Sequence, residues 1–134
     1  MSMTDPIADF LTRIRNAIHA SHETVVMPGS RQKTELARIL AEQGYIDAYS
    51  VAPAADGPGD KLEIRLKYDD SRRSAISGLR RVSRPGQRTY VDAKHIPRVH
   101  GGTGTTIVST SRGVMTGHEA RTAGVGGELV AEIW

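Results

Sequence analysis

The sequence predicts an α+β protein of two small domains, an N-terminal αβαββ unit over residues 1–70 and a mainly β C-terminal unit with short helices over 71–134. Three observations predict it. Apolar residues recur at helix spacing in two early segments, alternate strictly with charged residues in a third, and give way after residue 70 to short β-rich runs punctuated by glycine. At 134 residues, 38% hydrophobic and 25% charged, the chain has the size of one ordinary domain or two very small ones. A large multidomain enzyme is excluded.

In the first helix Ile7, Phe10, Leu11, Ile14 and Ile18 form one stripe, with Asp9, Thr12, Arg13 and Asn16 outside it. Asp5 is placed to cap it and Pro6 suits its first turn. The apolar run from Thr24 to Met27 is a strand stopped at Pro28 and Gly29. Ser30 then caps a second helix with the stripe Leu36, Ile39 and Leu40, and Gly44 is placed as its stop. Tyr45 to Val51 favours a strand, a Pro/Gly-rich turn follows over 53–60, and Leu62, Ile64, Leu66 and Tyr68 alternate with Lys61, Glu63, Arg65 and Lys67 as in a half-buried strand. Asp69 and Asp70 break this pattern as a solvated turn, and the domain boundary is expected there.

In the second part, Ala75 to Val82 reads as a strand, Arg84 to Gln87 as a turn and Arg88 to Val91 as the return strand. Ala93 to Val99 reads as one or two helical turns interrupted by Pro97. Thr105 to Thr110 is a short strand. Thr116 and Glu119 have capping-box spacing and start a short helix ended by Gly124, and the last strand runs from Gly127 to Trp134.

Composition narrows the function classes. Without cysteine there are no disulfides, iron–sulfur clusters, thiolate zinc sites or Cys nucleophiles, which fits a reducing compartment. No apolar run reaches the roughly 20 residues of a membrane helix, and the N-terminus has no secretory pattern, so a cytoplasmic protein is expected. His19, His22, His95, His100 and His118 lack the spacing and carboxylate partners of a metal site, so none is expected. The glycines over 101–104 resemble a phosphate loop in composition, which keeps a small phosphate-ligand enzyme as the alternative reading. Such a loop should open a helix, and a strand is expected here instead. No nucleophile, general base, cofactor or small-molecule substrate is expected.

Charge is the stronger signal. The net charge of +3 averages −3 over residues 1–60, 0 over 61–70, +7 over 71–100 and −1 over 101–134. Fourteen of the 18 basic residues are arginine, the side chain that pairs bidentately with phosphate. A basic run is often only a soluble face, but Arg80, Arg81, Arg84 and Arg88 are expected on one tight hairpin, which favours a nucleic-acid surface. The hydroxyl triplet Ser109, Thr110 and Ser111, and the segment with Gly124, Gly126, Gly127 and Glu128, fit RNA read in its shallow minor groove, where hydroxyls meet 2′-OH groups and glycine admits a close backbone. A polar turn and a helix C-cap would explain Gly124 equally well, and the remaining glycines and hydroxyls less well. With only six aromatic residues, base stacking is not expected to dominate.

The stretches 3–17, 81–90 and 105–128 together resemble the bacterial small-subunit ribosomal protein eight family, in order and spacing, across essentially the whole chain. The resemblance implies the two-domain fold and a non-catalytic primary RNA-binding protein. Its implied site is the central domain of 16S ribosomal RNA, where it helps assemble the platform beside small-subunit proteins five and twelve. Some members also repress their own messenger RNA. By motif position it implies Ser109, Thr110, Ser111, Gly124, Gly126, Gly127 and Glu128 as principal RNA readers, with Arg84, Arg88 and Tyr90 in support. It implies Thr4, Arg13 and Asn16 only as weaker, secondary contacts. The loop over 52–60 departs from the family by its length.

Overall fold

The amphipathic stripes become the buried faces of two helices, α1 (Pro6–His19) and α2 (Arg31–Glu42), in a computed structural model that describes residues 5–53, 57, 59–99 and 102–134. In α1 the buried seam is Ile7, Phe10, Leu11, Ile14 and Ala17. Ile18, one residue before the helix ends, is only half-buried, and Ala17 is the buried residue of that last turn. Ser30 caps α2 through its side chain, which accepts from the Lys33 amide, and Gly44 follows the helix with φ +82°.

Strands β1 (Thr24–Pro28), β2 (Ile46–Pro53) and β3 (Asp60–Leu66) form an antiparallel sheet in the order β1-β3-β2. Leu62, Ile64 and Leu66 turn to the helices while Lys61, Glu63 and Arg65 face outward, as their alternation requires. Pro6–Ile76 packs as one compact unit with the expected αβαββ order. Its last turn is held by the Asp69 carboxylate, which accepts from the Ser71 and Arg73 amides. Of the loop over 52–60, residues 54–56 and 58 lie outside the described residues.

The second unit comprises Asp5 and Ser77–Trp134 among the described residues. Its strands are β4 (Leu79–Arg81), β5 (Tyr90–Val91), β6 (Thr105–Thr110), β7 (Gly113–Thr116) and β8 (Gly127–Ile133). The sheet order is β4-β8-β6-β7, with β5 also on β8. One helix, α3 (Gly117–Ala123), has the predicted capping box: Thr116 accepts from the Glu119 amide and Glu119 accepts from the Thr116 amide. Gly124 ends it in the left-handed region at φ +72°.

Three sequence expectations are corrected here. The strand over 75–82 is confined to Leu79–Arg81, and it does not pair with the return strand; both β4 and β5 lie antiparallel to β8. The predicted turn survives as a bridge between Arg84 and Gln87, closed by reciprocal backbone bonds of 3.1 and 2.9 Å. The reason is competition for apolar cover: β8 carries Leu129, Val130, Ala131 and Ile133, all buried, and offers more burial than the charged arms offer one another. Second, only Ala93–His95 forms a helical turn, a single 3₁₀ turn, since the chain is extended at Ile96 before Pro97. Third, β7 is a strand that the sequence pattern left unassigned; Val114 and Thr116 have β character, but a four-residue run opening on glycine is too short to stand out, and pairing with β6 holds it as a strand.

Candidate nucleic-acid interface

Residues directly opposite one another in an antiparallel ladder share a face of the sheet. Tyr90 lies opposite Glu128, Glu128 opposite Ser109, and Ser109 opposite Val114. The result is one cross-strand row, Tyr90–Glu128–Ser109–Val114, spanning β5, β8, β6 and β7. The neighbouring row, Leu129–Val108–Met115, faces the other way and packs with Ile96 and Ala120 beneath α3. The apolar row fixes the polar one, since a one-residue slip would bury Glu128 if β8 moved and expose Val108 if β6 moved.

Glu128 is the hinge of the row. Its Oε2 accepts from the Ser83 hydroxyl at 2.5 Å and from Arg88 Nη1 at 2.8 Å. Ser83 is fully buried and its Oγ also accepts from the Thr89 amide at 3.1 Å, so the carboxylate is anchored to the backbone through it. Burial pushes the Glu128 carboxyl up, but the Ser83 and Arg88 hydrogen bonds and the Arg88 and Arg81 charges outweigh it and hold the group below its usual range. Arg88 is raised in turn, first by its hydrogen bond to Glu128. Oε1 has no protein partner among the described residues, and the side chain keeps 20% of its surface exposed. An ionised acceptor is therefore held rigidly with one oxygen available.

Beyond Ser109 the β6–β7 turn brings the other hydroxyls to the end of the row. Thr110 Oγ1 donates to the Gly113 carbonyl at 2.9 Å and accepts from the Arg112 amide at 3.0 Å, so its hydroxyl shapes the turn. Ser111 and Arg112 stand exposed at its tip. The Ser109 and Ser111 hydroxyls have no protein partner among the described residues. Tyr90 is 70% exposed at the opposite end of the row.

Packing accounts for the glycines. A Cβ on Gly127 would collide with the Ser109 carbonyl oxygen and lie 2.9 Å from its carbon and 3.1 Å from Thr110 Cα; one on Gly126 would collide with the Val91 carbonyl oxygen and lie 2.7 Å from Asp92 Cα. Their contribution is to let β8 close against β5 and β6, which assembles the row. Gly124 serves as the α3 cap.

The structure also divides the basic block. Arg72 and Arg73 belong to the N-terminal unit, where Arg72 lies 4.5 Å over the Tyr68 ring and 4.0 Å from Glu23. In the C-terminal unit Arg80 pairs with Glu132 at 3.0 Å, Arg81 with Asp5 at 3.1 Å and Arg88 with Glu128. Arg84 has no ion-pair partner among the described residues. It stands apart from the row, lining a cleft with Arg80 and Arg81. Arg13 and Asn16 are exposed on α1 in the N-terminal unit, Arg13 bonded to Asp9 at 2.9 Å. Thr4, His100 and Gly101 lie outside the described residues. No three His, Asp or Glu side chains among the described residues converge to hold a metal ion.

Sequence reasoning missed Ser83, whose hydroxyl positions Glu128. Its place two residues after Arg81 looks like that of any strand residue, and only the fold brings it to a carboxylate 45 positions away.

A family model described as Ribosomal protein S8 matches residues 5–134. The chain belongs to the ribosomal protein S8 family. It is 53% identical over 134 residues, the full length of both chains, to the small ribosomal subunit protein uS8 of Corynebacterium jeikeium strain K411. The protein of the same name from Dehalococcoides mccartyi strain CBDB1 is 52% identical over 98% of this chain and 99% of its own. The S8 family is one of structural, non-enzymatic ribosomal proteins, and the α+β fold described above is the one expected of it.

Proposed function

We infer that this S8 protein is a structural constituent of the small ribosomal subunit, on the cytoplasmic ribosome, and that the cross-strand row of its C-terminal sheet binds the central domain of 16S ribosomal RNA. In this reading it helps organise the platform during assembly beside small-subunit proteins five and twelve, and relatives that repress their own messenger RNA would use the same row.

One observation carries the reading. The unpartnered Ser109 hydroxyl, an anchored carboxylate oxygen and an exposed tyrosine lie along one face of a sheet whose opposite face is core, with the Ser111 hydroxyl exposed at the turn beyond Ser109. Hydroxyls that donate and accept suit 2′-OH groups and base edges in a shallow minor groove; a fixed carboxylate accepts from an exocyclic amino group or a 2′-OH; a single tyrosine offers one stacking surface. Positive charge brings the RNA close, because Pro6–Ile76 is neutral in formal charge while the C-terminal unit has eight Lys/Arg against five Asp/Glu among Asp5 and 77–134.

Ser111→Ala should weaken binding to the central-domain RNA by about 1–2 kcal/mol, the effect of a hydrogen bond left unmade at an ordered contact. Filter binding at fixed salt measures it. Unchanged affinity would remove Ser111 from the interface, and because its side chain is exposed a folding defect would not confuse the result.

A further inference from the structure

We propose that the β4 edge of the C-terminal sheet holds a second RNA-backbone seat, separate from the row, so that this unit can hold two phosphodiester segments at once. The inference rests on the RNA-binding reading above and extends it to a surface that reading does not use.

Alternation along the hairpin creates the second surface. Ser83 and Arg88 turn toward Glu128, and Tyr90 lies opposite it, while their neighbours in sequence, Val82, Arg84, Gln87 and Thr89, line a cleft of about 310 Å³ with Arg80 and Arg81. The cleft thus offers the exposed guanidinium groups of Arg80 and Arg84 beside an amide and a hydroxyl, while Arg81 is 9% exposed and donates to Asp5 and to the Val130 carbonyl; no carboxylate lines it among the described residues. Glu132 and Asp5 partly offset Arg80 and Arg81 from outside. Arg84 is exposed, and the reciprocal bonds between Arg84 and Gln87 fix the backbone from which it projects. Arg80 keeps 64% of its side chain exposed despite its pairing. A site of this kind fits the two non-bridging oxygens of a phosphodiester, which guanidinium groups grip bidentately while amide and hydroxyl groups donate alongside. With no aromatic side chain in its lining among the described residues, it does not suit a nucleobase. An RNA backbone is favoured over an acidic polypeptide because a polyanion already docked on the row places further phosphates near the same unit.

The test starts from the full chain bound to a central-domain fragment of 16S RNA, to which a short labelled RNA duplex of unrelated sequence is added and followed by anisotropy across a KCl series. The duplex should bind the preformed complex. The double variant Arg80→Gln/Arg84→Gln should weaken this second binding at least roughly tenfold and lower its log–log salt slope by about two, one for each lost phosphate contact. Its affinity for the first RNA should fall by a clearly smaller factor, through the loss of long-range attraction alone; an equal fall in both would overturn the separate seat. Failure of the duplex to bind the complex, equal binding by the double variant, or stronger displacement by polyglutamate than by unlabelled duplex would each overturn the proposal. If the first complex does not form, the row reading fails instead, and the same duplex titration on the protein alone still decides the cleft.

Discussion

Gly127→Ala should destabilise the C-terminal unit by about 3 kcal/mol, the upper end of the usual cost of overpacking, because the atoms it meets cannot rotate away. The new methyl group would meet the backbone of Ser109 and Thr110, not the end of a flexible side chain. Relief therefore requires β8 to move off β6. That movement separates Glu128 from Ser109 and loosens the adjacent Val108–Leu129 pair, so stability and RNA binding should fall together. Gly124→Ala is the control. It has open space around it, and only its left-handed backbone is penalised, by about 1–2 kcal/mol. Urea unfolding followed by the fluorescence of Trp134, the only tryptophan and a residue of this unit, compares them. A cost for Gly127→Ala no greater than for Gly124→Ala would show that β8 is not held by this close approach.

Glu128→Ala should weaken RNA binding about tenfold or more and reduce stability at neutral pH by about 2 kcal/mol, because the buried Ser83 hydroxyl loses its acceptor. Glu128→Gln separates the roles. An amide oxygen can still accept from RNA and from Ser83, so affinity should lie between wild type and Glu128→Ala. If the carboxylate were merely a negative charge near RNA, either variant would bind more tightly, and that result would exclude it as a reader. The pH dependence has a definite sign. Since the folded carboxyl titrates below its ordinary value of 4.5, its stabilisation is complete above that value and is lost as pH falls toward the lowered folded value. The stability gap between wild type and Glu128→Gln should therefore be largest near neutrality and close on acidification. A gap that widens in acid would refute the anchored carboxylate.

Much of this was legible in the residues. The stripe of Phe10, Leu11 and Ile14, the cap at Ser30, the alternation from Leu62 to Leu66 and the box from Thr116 to Glu119 are signals between residues at most four or so positions apart, and each becomes the expected element. The hydroxyl triplet and the glycine segment also converge, on adjacent strands. What stayed hidden was the division of labour among them. Thr110 turns its hydroxyl into its own turn, Gly126 and Gly127 are required by strand packing, and Glu128 depends on Ser83 and Arg88.

The basic block makes the boundary clear. Sequence alone determined that positive charge is concentrated over 71–100 and that most of it is arginine, because composition and local order need no fold to be counted. Only the tertiary structure decided which arginines remain available. Arg81 meets Asp5 across 76 positions and Arg88 meets Glu128 across 40. The second pairing follows from β5 lying on β8, which carries Glu128. Strand pairing is a contest among distant segments for apolar cover and backbone partners. Its outcome depends on every competitor in the chain, whereas a helix stripe or a cap depends on a single turn.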